Sequence, residues 1–182
     1  MIYRQAQPAD AFSIALLHAD SWRRTYRGLF SDDFLDHQAD DDRLKTWNQR
    51  LGNNPANQLV YVAEDAGEIK GFACAYGNDH ARWGSLIDNL HVASACKRQG
   101  VGSALMAHVF AWLAEHFPDY AVYLWVMQHN LPAIQFYEKL GETSAELFDK
   151  PNPVGGGSAP NYRYVWPEAK TLNSHAQQTG NI

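Results

Sequence analysis

The spacing of apolar and polar positions divides the chain into short segments whose period changes several times. Ile2–Arg4 reads as a brief first strand. Pro8 then opens a helix whose apolar positions Phe12, Ala15, Leu16 and Trp22 recur at helical spacing as far as Tyr26, before Gly28 stops it. Ser31-Asp32-Asp33 is a helix start: a short polar side chain can accept from free amides, and two carboxylates oppose the positive helix end. Asp40–Leu51 reads as a further helix, closed by Gly52-Asn53-Asn54-Pro55.

From Leu59 the period shortens. Leu59–Glu64 and Ile69–Tyr76, separated by Ala66-Gly67, predict an antiparallel hairpin, and Ser85–Val92 predicts a third strand of this group. Residues 103–117 return to helical spacing, with Leu105, Val109, Trp112, Leu113 and Phe117 on one stripe and Pro118 just beyond. Ala121–Met127 is dense in large apolar side chains, as a strand buried on both faces should be. Leu131–Leu140 is a short helix ended by Gly141, and Thr143–Phe148 and Tyr162–Trp166 form a last pair of strands around a Pro/Gly-rich loop. This order implies an α/β (α+β) fold, a mixed sheet with helices on both faces. Residues 1–167 are expected to form one domain, and the polar stretch 168–182 a mobile tail.

Composition narrows the chemistry. A chain of 182 residues, 46% hydrophobic, can bury one sizeable core. A net charge of -5 lacks the basic footprint of a nucleic-acid binder, so phosphate contact should be local, at Lys97-Arg98. No apolar run approaches the roughly 20 residues of a membrane-spanning helix, and no signal core follows the N-terminus, which predicts a cytoplasmic protein. The two cysteines, Cys74 and Cys96, match no disulfide framework, and the eight histidines show no metal-ligand spacing, so no metal site is expected.

The densest chemical signal is the run Leu90-His91-Val92-Ala93-Ser94-Ala95-Cys96-Lys97-Arg98-Gln99-Gly100-Val101-Gly102-Ser103. A strand passes through a polar turn into a glycine-rich helix start, where unpaired amides converge and the helix dipole favours an anion such as a pyrophosphate. Glycines at 100 and 102 let that anion approach the backbone, although an ordinary glycine-rich helix start would read the same way. A Walker loop is excluded because no Gly-Lys-Ser/Thr follows at the required spacing, and the dinucleotide fingerprint is a poor fit because Leu105 stands at its third glycine.

A second run, Asn130-Leu131-Pro132-Ala133-Ile134-Gln135-Phe136-Tyr137-Glu138-Lys139-Leu140-Gly141, follows the buried strand. Together the two resemble the GNAT family of N-acetyltransferases, whose marks are Arg/Gln-x-x-Gly-x-Gly/Ala at a helix start, then Asn-x-x-Ala-x-x-Phe-Tyr-x-x-x-Gly. The resemblance spans Leu59–Trp166, and the two helices before the hairpin suit the family's substrate-side lid. One departure is that Lys97 stands at the family's first Arg/Gln; it supplies charge without a bidentate guanidinium.

The resemblance implies a mostly antiparallel sheet of about six or seven strands and an acetyl-CoA (coenzyme A) cofactor. Its pyrophosphate would lie on Lys97, Arg98, Gln99, Gly100, Val101, Gly102 and Ser103. Its pantetheine would pair along Leu90, His91 and Val92, with an amide near Val92 as oxyanion donor, and Asn130, Ala133, Phe136 and Tyr137 would contact it from the following helix. Tyr137 matches the acid that protonates the departing thiolate; from composition alone it would be a packing residue beside Phe136. Asn130 suits a helix N-cap equally well.

The base is harder to place. Leu86 and Trp125 occupy the positions where the family often carries a glutamate, and neither takes a proton. Asp88, on the strand face of Leu86, is the nearest carboxylate, with a water-mediated base and a purely structural carboxylate as alternatives; His91 is expected on the opposite face by period two. Cys96 adjoins two cations but no base, and the family transfers its acyl group directly within a ternary complex.

Trp22, Tyr26 and Phe30 are candidate acceptor contacts, together with the Pro151–Pro160 loop; packing against the sheet is the alternative. Asp40-Asp41-Asp42 could draw an amine cation or simply be a solvated helix start. The acceptor is expected to be a primary amine of a small molecule or peptide, and a homodimer is compatible with the chain. A non-catalytic acyl-CoA-binding module and a nucleotide-binding α/β protein are the competing readings.

Overall fold

In a computed structural model, which describes residues 1–140, 144–151 and 158–169, the chain forms one seven-stranded sheet of order β1-β2-β3-β4-β5-β7-β6. The strands are β1 (Ile2–Gln5), β2 (Gln58–Asp65), β3 (Glu68–His80), β4 (Gly84–Val92), β5 (Val122–Met127), β6 (Ser144–Pro151) and β7 (Ser158–Trp166). The helices are α1 (Ala11–Thr25), α2 (Asp32–His37), α3 (Ala39–Asn53), α4 (Val101–His116) and α5 (Leu131–Lys139). Every pairing is antiparallel except β4 with β5, which α4 connects. The expected helix stop at Gly141, most of the loop before Pro160, and all but the first two residues of the expected tail lie outside the described residues.

Helices α4 and α5 cover one face, where Leu105, Val109 and Leu113 pack with Leu124, Val126 and Tyr164. The other face carries α1 and α3, with Ile14 and Trp47 closing over Val62 and Phe72. Burial of each such large side chain contributes about 1.5–3 kcal/mol against leaving it in water.

The stripe on α1 differs from the expected one. Phe12 and Leu16 are exposed, while Ala11, Ile14, Ala15, His18, Ala19 and Trp22 face inward. Three alanines on the inner face let the helix backbone approach the sheet and α3 closely, which bulky side chains at those positions would prevent. The buried imidazole of His18 is satisfied by Trp47, whose Nε1 donates to His18 Nδ1 at 3.0 Å.

Two features of β4 open the sheet. Ile87 pairs with Ala75 and Asn89 with Cys74, so Asp88 is an extra residue, a bulge that bends the strand. Parallel pairing with β5 covers only Ser85–Ile87 against Val122–Leu124 and then ends. Beyond it Asn89–Val92 remain paired to β3 on one side, while the edge turned to β5 has no strand partner.

Candidate active site

The parting of β4 and β5 forms a cleft of about 770 Å³, walled by Asp88–Val92, by Trp125–Met127, by the turn before α4 and by α5. Its floor at the α4 end follows from backbone conformation. Arg98 and Gly100 both take left-handed φ, +60° and +81°, turning the chain sharply into α4. At Gly100 an added Cβ would meet nothing within 4 Å, so glycine is required there by its backbone angle rather than by space. Ala104 N is the first amide to close a helical hydrogen bond, onto Gly100 O at 3.0 Å. The amides of Val101, Gly102 and Ser103 therefore lack intrahelical partners at the positive end of a sixteen-residue helix. Lys97 and Arg98 stand beside them on the cleft wall, so the free amides and two cations form a cradle that suits a pyrophosphate.

Most of the residues singled out for the cofactor line this cleft: Leu90, His91, Val92, Lys97, Arg98, Gly100, Gly102, Ser103, Asn130, Ala133, Phe136 and Tyr137. Two side chains do not. Val101 points into the core at 3% exposure, leaving only its amide available, and Gln99 folds back to donate to Ala95 O at 2.8 Å. Asn130 caps α5, its side-chain oxygen accepting from Ala133 N at 3.4 Å, and also faces the cleft.

Tyr137 lies on the inner face of α5, its ring edge-on to Phe136 at 5.3 Å and 6.2 Å from Tyr164. Its hydroxyl makes no hydrogen bond among the described residues. Burial pushes its phenol well above the ordinary tyrosine value, and the nearby Tyr26 phenol adds to the rise. Such a group stays protonated at any physiological pH, the state a proton donor needs.

The face of β4 opposite α4 departs from the period-two expectation. The extra residue at Asp88 shifts the alternation, so Asp88 and His91 share one face instead of pointing apart. Asp88 Oδ2 lies 2.7 Å from Arg50 Nη1 of α3 and also receives the Asn89 side-chain amide; Oδ1 has no partner among the described residues. His91 Nδ1 lies 2.7 Å from Ser21 Oγ of α1, and its ring packs 4.5 Å from that of His18. Burial, with Lys97 and Arg43 nearby, lowers the His91 imidazole to about 3, so it is neutral at physiological pH.

Of the three aromatic residues expected at the acceptor, only Tyr26 lines the cleft. Trp22 and Phe30 pack behind it, 5.3 Å apart in a cluster with Phe34 and Leu35, because the Gly28 turn folds the end of α1 back onto α2. The acidic run opens α3, where Asp40 pairs with Arg23 at 2.7 Å. The sequence gives no separate sign of Ser21, Thr25, Met127 and Asn161, which also line the cleft. They sit on three different elements, α1, β5 and β7, and only the tertiary fold brings them together. Among the described residues no helix is long and apolar enough to cross a membrane.

A sequence profile described as Acetyltransferase (GNAT) family matches residues 19–141. The uncharacterized N-acetyltransferase YuaI of Bacillus subtilis (strain 168) is 30% identical over 153 residues, 79% of this chain and 84% of the relative. Among solved structures, the ribosomal-protein-alanine N-acetyltransferase from Brucella melitensis superposes with a TM-score of 0.68 at 17% identity, covering 92% of this chain and 99% of its own. The PaiA N-acetyltransferase from Thermoplasma acidophilum in complex with coenzyme A gives 0.67 at 14% identity, with 91% and 98% covered. At these identities the two structures speak for the shared fold alone; the profile and the Bacillus relative carry the family. The chain therefore belongs to the GNAT family of N-acetyltransferases, enzymes that take their acetyl group from acetyl-CoA.

Proposed function

We propose that the cleft between β4 and β5 is where an acetyl group passes to the primary amine of a small molecule or peptide, directly and within one ternary complex. The observation that carries this reading is the unpaired edge Asn89–Val92 leading straight to the amide cradle of α4, with Tyr137 on the opposite wall. When bound, acetyl-CoA supplies an activated thioester acyl group. The chain supplies three things. The amides of Val101, Gly102 and Ser103, with Lys97 and Arg98, hold the diphosphate. The open edge of β4 offers main-chain partners at Leu90 and Val92, and an amide near Val92 aimed at the acyl oxygen supplies fixed electrostatic stabilisation. Tyr137, kept protonated by burial, gives its proton to the leaving sulfur.

On the acceptor side, Asp88 is the carboxylate in the cleft with an oxygen to spare. Its Oδ1 receives the ammonium and, directly or through water, takes the proton that must leave before the amine can attack. Tyr26 packs against the acceptor, with Trp22 and Phe30 holding its ring in place. A cytoplasmic enzyme would meet acetyl-CoA and free amines together. Release of coenzyme A thiol across a panel of primary amines tests the reading, with wild type and Tyr137→Phe compared. Tight acetyl-CoA binding with no thiol release on any amine, and no effect of the substitution, would instead favour an acyl-CoA-binding module.

A further inference from the structure

Strands β5, β7 and β6 gather two cations and several aromatic rings around Trp125, itself a wall of the cleft. Cross-strand register sets Trp125 opposite Arg163 and Asn161 opposite Phe148, and the period of two adds Lys150, two residues beyond Phe148 on the same face. Side-chain contacts agree with this placement: the Arg163 guanidinium lies 4.5 Å from the Trp125 ring centre and 4.6 Å from that of Phe148. Trp83, from the turn between β3 and β4, covers it from a third side at 4.0 Å. Trp125 and Asn161 are themselves cleft wall.

The charges on this wall do not balance. Arg163 Nη1 pairs with Glu146 at 2.6 Å, but Arg163 Nε is buried and has no hydrogen-bond partner among the described residues. Lys150 holds its ammonium 4.2 Å above the Trp125 ring and forms no ion pair among the described residues. Burial lowers its basicity, while nearby Asp88 favours its charged form and Arg163 opposes it. A half-buried, unpaired ammonium beside an orphaned guanidinium N–H is costly unless an anion completes it.

We propose that this wall reads a carboxylate on the acceptor, so that the enzyme acetylates amines bearing a carboxylate, with Lys150 and Arg163 taking the carboxylate and Asp88 the ammonium. The two charges of such an acceptor match the Asp88 carboxylate in the cleft and the two cations packed on the Trp125 ring of its wall, which an uncharged alkylamine cannot do. The inference rests on the acetyltransferase reading for its chemistry, though not for its binding.

The test uses amine pairs that differ by a carboxylate, phenylalanine against phenethylamine and 4-aminobutyrate against butylamine. One arm measures kcat/KM by thiol release; the other measures affinity, with coenzyme A present, by quenching of tryptophan fluorescence. The carboxylated member of at least one pair should be preferred tenfold or more, the preference should fall close to unity in Lys150→Gln, and Lys150→Arg should restore most of it. Equal or better performance of both uncharged amines in wild type overturns the proposal, as does a preference unchanged by Lys150→Gln. A carboxylate preference in binding without turnover on any amine supports the wall and removes the catalytic reading instead.

Discussion

Arg50, in the last turn of α3, reaches the bulged residue of β4: its Nη1 lies 2.7 Å from Asp88 Oδ2, while the guanidinium rests 5.1 Å from the Trp47 ring centre. One oxygen of the cleft's carboxylate thus faces an ion-pair partner on α3 and accepts from the Asn89 side chain, while the other has no partner among the described residues. Both partners are partly exposed, at 25% and 29%, so the pair is screened and its coupling should be about 1 kcal/mol or less. Denaturant unfolding of Asp88→Asn, Arg50→Met and the double variant measures that coupling directly. In activity, Asp88→Asn should lower kcat/KM for the amine by about tenfold to a hundredfold, with acetyl-CoA affinity nearly unchanged. Wild-type activity in Asp88→Asn would remove Asp88 from the mechanism.

Tyr137→Phe deletes one hydroxyl from a packed ring, so thermal stability should change little while kcat drops about a hundredfold or more. Because burial raises the phenol above its ordinary value near 10, the protonated, active form persists beyond that pH. The alkaline limb owed to this residue should therefore lie above about pH 10. A pH profile of kcat that falls with a midpoint near 8 and loses that limb in Tyr137→Phe would contradict the assignment.

The two glycines of the α4 turn should respond with opposite signs. Gly100→Ala forces a side chain into the left-handed region and should cost about 1–2 kcal/mol, a fall in Tm of roughly 2–8 °C at this size. Gly102 has helical space, since the nearest atoms an added Cβ would meet are those of Phe136 at 3.6 Å and Val92 at 3.8 Å, ordinary contact distances. Gly102→Ala should hold or raise stability through helix propensity, yet weaken acetyl-CoA binding, because its Cβ stands in the cradle. Differential scanning calorimetry and titration of acetyl-CoA separate the two effects; unchanged affinity in Gly102→Ala would move the diphosphate away from this turn.

Acid should loosen the α1 side of the molecule. His18 and His91 both have imidazoles lowered from 6.5 by burial, His91 to about 3. Each is neutral in the fold and takes up a proton only on unfolding, so their stabilisation is fully present above pH 6.5 and falls as pH drops below it toward the folded values. The loss is about 1 kcal/mol per pH unit for each group. Unfolding free energies between pH 7.5 and 5 should show a shallower decline in His91→Gln than in wild type; identical slopes would exclude that contribution.

The parts of this molecule that the sequence disclosed are those written locally. Gly100, Asn130 and Tyr137 belong to short runs in which the residue type and the local backbone coincide, so the glycine turn into α4 and the α5 wall were legible before any fold was known. The bulge at Asp88 was not, because an extra residue in one strand is defined only by its partner, here Cys74 of β3. The inner face of α1 was misread for a related reason: Phe12 and Leu16 look like core residues by hydropathy, but close packing selected the alanines. Trp125, Lys150 and Arg163 lie far apart in the chain and meet only through strand order, which no spacing rule encodes.

Parallel pairing limited to Ser85–Ile87 against Val122–Leu124 makes the sheet two plates joined by a seam three residues long. On one plate sit β1–β4 with α1 and α3; on the other, β5–β7 with α5, while α4 bridges them from below. A donor lying along the open edge would act as a missing rung between the plates. Amide hydrogen exchange should therefore slow on both lips at once when it binds, at 89–92 and at 125–127, and the free enzyme should flex first along that seam.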